Sequence, residues 1–120
     1  IKHHTVQGGS NIIKLRGRSS FQSPAYNAVK MIEAAMGGEK FTLPAGCYVN
    51  CDKCGFKNVM MAMPSTIDKT GVHFTEPAGT EEEMASLAKS YEHLCKMRDE
   101  IVELGIVPAV EKWNELNPNL

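Results

Sequence analysis

No stretch of the sequence approaches the eighteen or so consecutive apolar residues that a membrane-spanning helix needs. The longest run, Val59 to Met63, has the length of a buried strand, so no membrane partner is expected. Charge of one sign is lacking too. Thirteen Lys plus Arg against fourteen Asp plus Glu leave a formal net charge of −1, without the electrostatic footprint for holding a polyphosphate backbone, and no nucleic-acid partner is expected. Low-complexity blocks are absent from a composition that is 42% hydrophobic and 22% charged, which argues against disorder and for a folded, soluble domain. Only four cysteines occur, at 47, 51, 54 and 95, too few for a disulfide scaffold in a chain with an ordinary core, so a reducing cytoplasm is the expected compartment. The chain opens Ile-Lys-His-His, with no initiator Met and no basic, apolar leader, and no targeting signal is visible.

Catalytic signatures are missing as well. There is no G-x-S-x-G elbow, no H-E-x-x-H helix, no P-loop and no G-x-G-x-x-G. The four histidines do not gather: His3 and His4 are adjacent, and His93 has no acidic or Ser partner at catalytic spacing. No self-contained catalytic machine is expected.

What remains is 120 residues, one domain by the usual size relation and long enough for its own core. The best-marked element runs from Thr80 to Gly105. Thr80 and Glu83 have capping-box spacing, Glu81 to Glu83 complement the helix dipole, and Met84, Leu87, Ala88, Tyr91, Leu94, Cys95, Ile101 and Val102 repeat with helical period. A second helix is predicted with Ser23 as its cap and Pro24 at its first position. It would carry Ala25, Ala28, Val29, Ile32, Ala35 and Met36 as an Ala-rich face packed in the interior, and would stop at Gly37-Gly38. The first fifteen residues read as a helix weakened by Gly8-Gly9. Between the helices, Phe41 to Val49 alternates as a strand whose Pro44 and Gly46 point to an edge or a bulge. Val59 to Ile67 is a more buried strand, and Asp68-Lys69-Thr70-Gly71 turns it back into Val72 to Thr75 as a hairpin.

Two clusters carry chemistry. Lys14, Arg16 and Arg18 converge with Ser19, Ser20 and Ser23 just before a helix start, the cations, hydroxyls and free N–H groups that a carboxylate or phosphate needs. The plainer reading is a solvated basic turn with ordinary capping. Cys47, Cys51 and Cys54, completed by His73 or Cys95, form a zinc set on paper, although a single C-x-x-C lacks the second knuckle of structural zinc sites. Cysteines on apolar faces otherwise serve as small hydrophobes. A small non-enzymatic zinc- or anion-binding module, or an interaction domain dimerising through the long helix, is therefore an alternative to an enzyme domain.

Gly8-Gly9, Ile12 to Leu15 and the stretch Gly17-Arg18-Ser19-Ser20-Phe21-Gln22-Ser23-Pro24-Ala25-Tyr26 resemble the second half of the lactate/malate dehydrogenase family. The strand at Phe41 to Val49, the stretch Met61 to Val72, the acidic-starting helix and the ending Leu116-Asn117-Pro118-Asn119-Leu120 extend the resemblance over nearly the whole chain. It implies an α+β substrate-binding domain of antiparallel strands packed against long helices, normally preceded by an NAD-binding Rossmann domain that is absent from this chain. The NAD fingerprint, the substrate-clamping arginines and the proton-exchanging His/Asp pair would all lie upstream of Ile1. By the same resemblance Ser19 lines the substrate pocket, Ser20 neighbours it and Ser23 lies near the nicotinamide. A small hydroxyl at Ser19 leaves room for the second carboxylate of a C4 acid. The implied partners are a small dicarboxylate, the chain's own Rossmann domain and further copies in a homo-oligomer, and the isolated chain is expected to be inactive. No metal ligands and no catalytic residues are carried over. Cys51 to Cys54 stand where family members often have an acidic or glycine-rich loop, a departure that keeps the metal question alive.

Overall fold

A computed structural model describes residues 1–118; Asn119 and Leu120, which close the ending noted above, lie outside the described residues. The chain divides into two compact units, Ile1–Phe41 with Ile67–Gly71, and Thr42–Thr66 with the residues from Val72 onward.

The first unit opens with α1, Lys2–Arg16, the helix expected there, continuous through Gly8 and Gly9 and with no buried residue. Lys14 and Arg16 occupy its last turn, where cations complement the dipole. Gly17 ends it in the left-handed region, at φ 69°, with its N–H donating to the Ile13 carbonyl at 2.8 Å. Next comes α2, Gln22–Ala35, and here two expectations fail. The N-cap is Phe21, not Ser23, so Ser23 and Pro24 take the second and third helical positions. Proline is tolerated there because the first helical N–H groups have no intrahelical acceptor to lose. The Ala-rich face is not interior either: Ala34 alone is buried, while Val29, Ile32 and Met36 are each more than half exposed.

Beyond α2, Phe41 pairs with Ile67 through two backbone hydrogen bonds of 3.1 and 2.8 Å as an isolated bridge instead of starting the predicted strand. Asp68 accepts from the Thr70 N–H at 2.9 Å and from its hydroxyl, the side-chain turn that lets β3, Ser65–Asp68, fold back into β4, Gly71–Phe74, as predicted. Lys40 reaches the same carboxylate at 3.1 Å.

In the second unit, β1, Ala45–Cys51, and β2, Phe56–Met63, form an antiparallel hairpin running in register from Ala45 opposite Met63 to Val49 opposite Val59. Pro44 lies just before the first strand. Pro64, which cannot donate to a ladder, splits the predicted strand at Val59 to Ile67 into β2 and β3. The irregularity expected near Pro44 and Gly46 lies instead at the far end of the hairpin. After Val49 opposite Val59 the next pair is Cys51 opposite Phe56, so β2 spends one residue more than β1. Asn58 sits there at φ 53°, with its side chain accepting from the Tyr48 hydroxyl at 2.6 Å. The inner face of the hairpin, Cys47, Val49, Cys51, Phe56, Val59, Met61 and Met63, is the core.

That face is covered by α3, Glu81–Glu103, about 35 Å long at 1.5 Å per residue. Its start is as expected. Glu83 N–H donates to the Thr80 hydroxyl at 3.3 Å, and Glu83 accepts the Thr80 N–H at 2.8 Å. The Thr80 N–H, and then the Thr80 hydroxyl at 3.0 Å, both donate to the Glu83 carboxylate and hold it below its ordinary range. Leu87, Tyr91 and Leu94 pack on the hairpin, with the Tyr91 ring 4.8 Å from that of Phe56. A short 3-10 turn, Val110–Lys112, and α4, Trp113–Leu116, finish the described chain, with Trp113 6.2 Å from Tyr48.

Candidate functional site

The basic stretch becomes a short, exposed turn between two helices. Because Gly17 takes a left-handed conformation, the chain leaves α1 sharply and Arg18 to Phe21 cross to α2 without regular structure. Arg16 donates to Gln22 Oε1 at 2.8 Å, bridging the two helix ends. Its guanidinium lies 5.7 Å from the centre of the Phe21 ring and that of Arg18 lies 5.0 Å from it, so one half-exposed aromatic holds two cations. Each such contact contributes about 0.5–1 kcal/mol at an exposed site.

No side chain caps the start of α2, because Phe21 has no oxygen to offer. The positive end of the helix dipole therefore faces the turn together with two guanidinium groups. Ser19 and Ser23 are exposed and Ser20 is half-buried. Cations, hydroxyls and helix-start N–H groups gathered on one exposed turn are suited to binding a carboxylate. Sequence reasoning picked out Arg16, Arg18 and the serines but missed Phe21 and Gln22, which fix where the arginines sit. The available signal was the spacing Arg16, Arg18, Phe21, two cations within reach of one ring.

The thiols do not form the four-ligand set considered from sequence. Cys47 is buried, its Sγ 3.0 Å from the Ser65 hydroxyl and 3.3 Å from the Ala45 carbonyl. Cys95 lies on α3. Cys51 and Cys54 do meet, across the hairpin turn. Among the described residues, no three of His, Cys, Asp and Glu are grouped so as to hold a metal ion.

The family model described as lactate/malate dehydrogenase, alpha/beta C-terminal domain, matches residues 1–104. The chain belongs to the lactate/malate dehydrogenase family. It is 34% identical over 94 residues to a malate dehydrogenase of Geobacillus kaustophilus, covering 77% of this chain and 30% of that protein. To a malate dehydrogenase of Sorangium cellulosum it is 34% identical over 87 residues, 72% of this chain and 28% of that one. Among solved structures, the malate dehydrogenase of Salinibacter ruber superposes with a TM-score of 0.74 at 28% identity, over 84% of this chain and 33% of the other. That of Plasmodium falciparum gives 0.75 at 24% identity over 85% and 33%, a likeness of fold. The expected α+β class of a lactate/malate dehydrogenase C-terminal domain, antiparallel strands with helices, is thus borne out. The chain spans about 30% of the length of the curated relatives it matches. Among the described residues, no helix is long and apolar enough to cross a membrane.

Proposed function

We propose that this chain is the single substrate-binding domain of an NAD-dependent malate dehydrogenase, which in full length interconverts (S)-malate and oxaloacetate in the cytoplasm. It works there with an N-terminal Rossmann domain and as a homo-oligomer. The observation that carries the reading is the α1–α2 turn, cationic and hydroxyl-lined, within a chain matched by the family's C-terminal domain over residues 1–104.

In this reading Ser19 faces the distal carboxylate of the C4 acid. Its small side chain leaves the volume that carboxylate needs, and its hydroxyl can donate to it. Ser20 shapes the same wall, and Arg16 and Arg18 give the turn a positive potential that draws in a dianion. NAD, when bound in the full enzyme, supplies the hydride acceptor. Of that cofactor the chain fits only the nicotinamide end, where Ser23, exposed on the first turn of α2, offers a hydroxyl. It has no cradle for the phosphates among the described residues, since Gly8 and Gly9 lie inside α1 and not at a strand-to-helix turn.

Joining the chain to the NAD-binding half of the Geobacillus kaustophilus relative tests this. The hybrid should oxidise NADH with oxaloacetate, followed at 340 nm, whereas the isolated chain should not. Replacing Ser19 by Leu should lower kcat/KM for oxaloacetate at least about tenfold, the cost of a mismatched group in a pocket. Turnover by the isolated chain, or a folded, NADH-binding hybrid with no activity on oxaloacetate, overturns the reading.

A further inference from the structure

The turn joining β1 to β2 has a chemistry that malate oxidation does not use. Cys51 ends β1 and is buried, and Cys54, three residues on, is half-buried against the same core. The Cys54 N–H donates to Cys51 Sγ at 3.3 Å, which draws the two residues together across the turn. Gly55 follows at φ 74°, the left-handed residue that lets the chain turn back into Phe56. Both thiols are free. Each charged residue between them has its own counter-ion, Asp52 in Lys57 and Lys53 in Glu76, the latter at 3.3 Å, so neither competes for the sulfurs.

We propose that Cys51 and Cys54 form a two-thiol site for a soft monovalent cation with a filled d shell, of the Cu(I) class. The number of donors selects the metal. Structural zinc takes four ligands in a tetrahedron, and here no third His, Cys, Asp or Glu joins the pair among the described residues. Cys47 stands four residues back along β1, roughly 13 Å at strand spacing, with its own partners in the core. Two sulfurs with no third His, Cys, Asp or Glu grouped with them among the described residues satisfy an ion that accepts linear coordination and prefers thiolate. Binding forms two S–metal bonds and releases the two thiol protons to solvent, with no electron transferred. A thiophilic cation displaces the thiol protons as it binds.

The test is anaerobic titration of the reduced chain with Cu(I) against the chromophoric chelator bicinchoninate, circular dichroism confirming the fold of each variant. One Cu(I) per chain is expected, held at least 100-fold more weakly after Cys54→Ser and unchanged after Cys95→Ser. Cys54 is the informative position because its half-exposed side chain can be replaced without opening the core, whereas Cys51→Ser perturbs a buried site. No stoichiometric Cu(I), or equal retention by Cys54→Ser, overturns the proposal. So does a Co(II) complex with thiolate absorption at half a metal per chain, which would mean a four-thiol site between two copies.

Discussion

Gly17 decides how the candidate carboxylate-binding turn leaves α1, and its substitution tests that role without confounding contacts. A side chain there would project into open space, with no heavy atom within 4 Å of the new Cβ, so any cost arises in the backbone alone. At φ 69° a residue with a Cβ loses about 1–2 kcal/mol relative to its right-handed conformations. Alanine recovers about 0.4–1 kcal/mol of this through a less free unfolded chain. The net expectation for Gly17→Ala is a loss of about 1 kcal/mol. Asn, whose short side chain bonds locally in this region, should lose about half as much, and Val, branched at Cβ, about 2 kcal/mol. With a urea slope of about 1–3 kcal/mol/M, the alanine variant should unfold about 0.3–1 M earlier when helix signal at 222 nm is followed. The order Gly, Asn, Ala, Val should recur in kcat/KM of the hybrid enzyme, because the same backbone conformation aims Arg18, Ser19 and Ser20. An alanine variant as stable as the parent, or an asparagine variant worse than alanine, would refute the reasoning.

Met63 and Met60 share a strand but differ in burial, 1% against 59% exposed. Met63→Ala should cost about 3 kcal/mol, from lost transfer energy plus a cavity, and Met60→Ala under about 1 kcal/mol, both read from urea unfolding by Trp113 fluorescence. Equal costs would mean that the strand alternation is misassigned. Hydrogen bonds from the Thr70 hydroxyl and N–H, and then Lys40, hold the Asp68 carboxyl well below the usual carboxylate range. Its folded pKa is therefore lower than its unfolded one, so the stabilisation is complete above about pH 5 and lost as pH falls below about 4. Between pH 6 and pH 3 the parent should lose more stability than Asp68→Asn, and identical acid sensitivity in the two would exclude this carboxylate as a contributor.

What sequence made legible was local. The capping box of α3 and the turn at Asp68 depend on residues within three positions of each other, and both stand as read. The α2 start was misplaced because capping rules look for a side-chain oxygen and pass over Phe21. Its true role rests on Arg16 and Arg18, which reach the ring from the other side of a turn. The break of the long strand was written in Pro64 but overridden by the apolar run around it. Helical period in α2 reports a face built for burial; it does not report what covers that face, and Val29, Ile32 and Met36 stay exposed. The role proposed for the serines rests on the family resemblance, since hydroxyls before a helix ordinarily serve as caps.

The bulge at Asn58 was out of reach of any local rule, and much of the second unit depends on it. Phe56 and Val59 are three apart, so in an unbroken strand they would face opposite sides; the extra residue puts both in the core. Phe56 can then meet Tyr91, whose hydroxyl accepts the Lys57 N–H at 3.2 Å. The Asn58 carbonyl accepts from Arg98 at 2.9 Å, so a second residue of α3 is fastened to the bulge. Asparagine tolerates the left-handed backbone better than most residues, and here the Tyr48 hydroxyl on its side chain and Arg98 on its carbonyl hold it there. The same register shift sets Cys51 opposite Phe56 and so leaves Asp52 to Gly55 as the turn that brings the two thiols together. One left-handed residue, specified by partners 10 and 40 positions away, thus fixes both how the long helix docks and where the sulfurs meet.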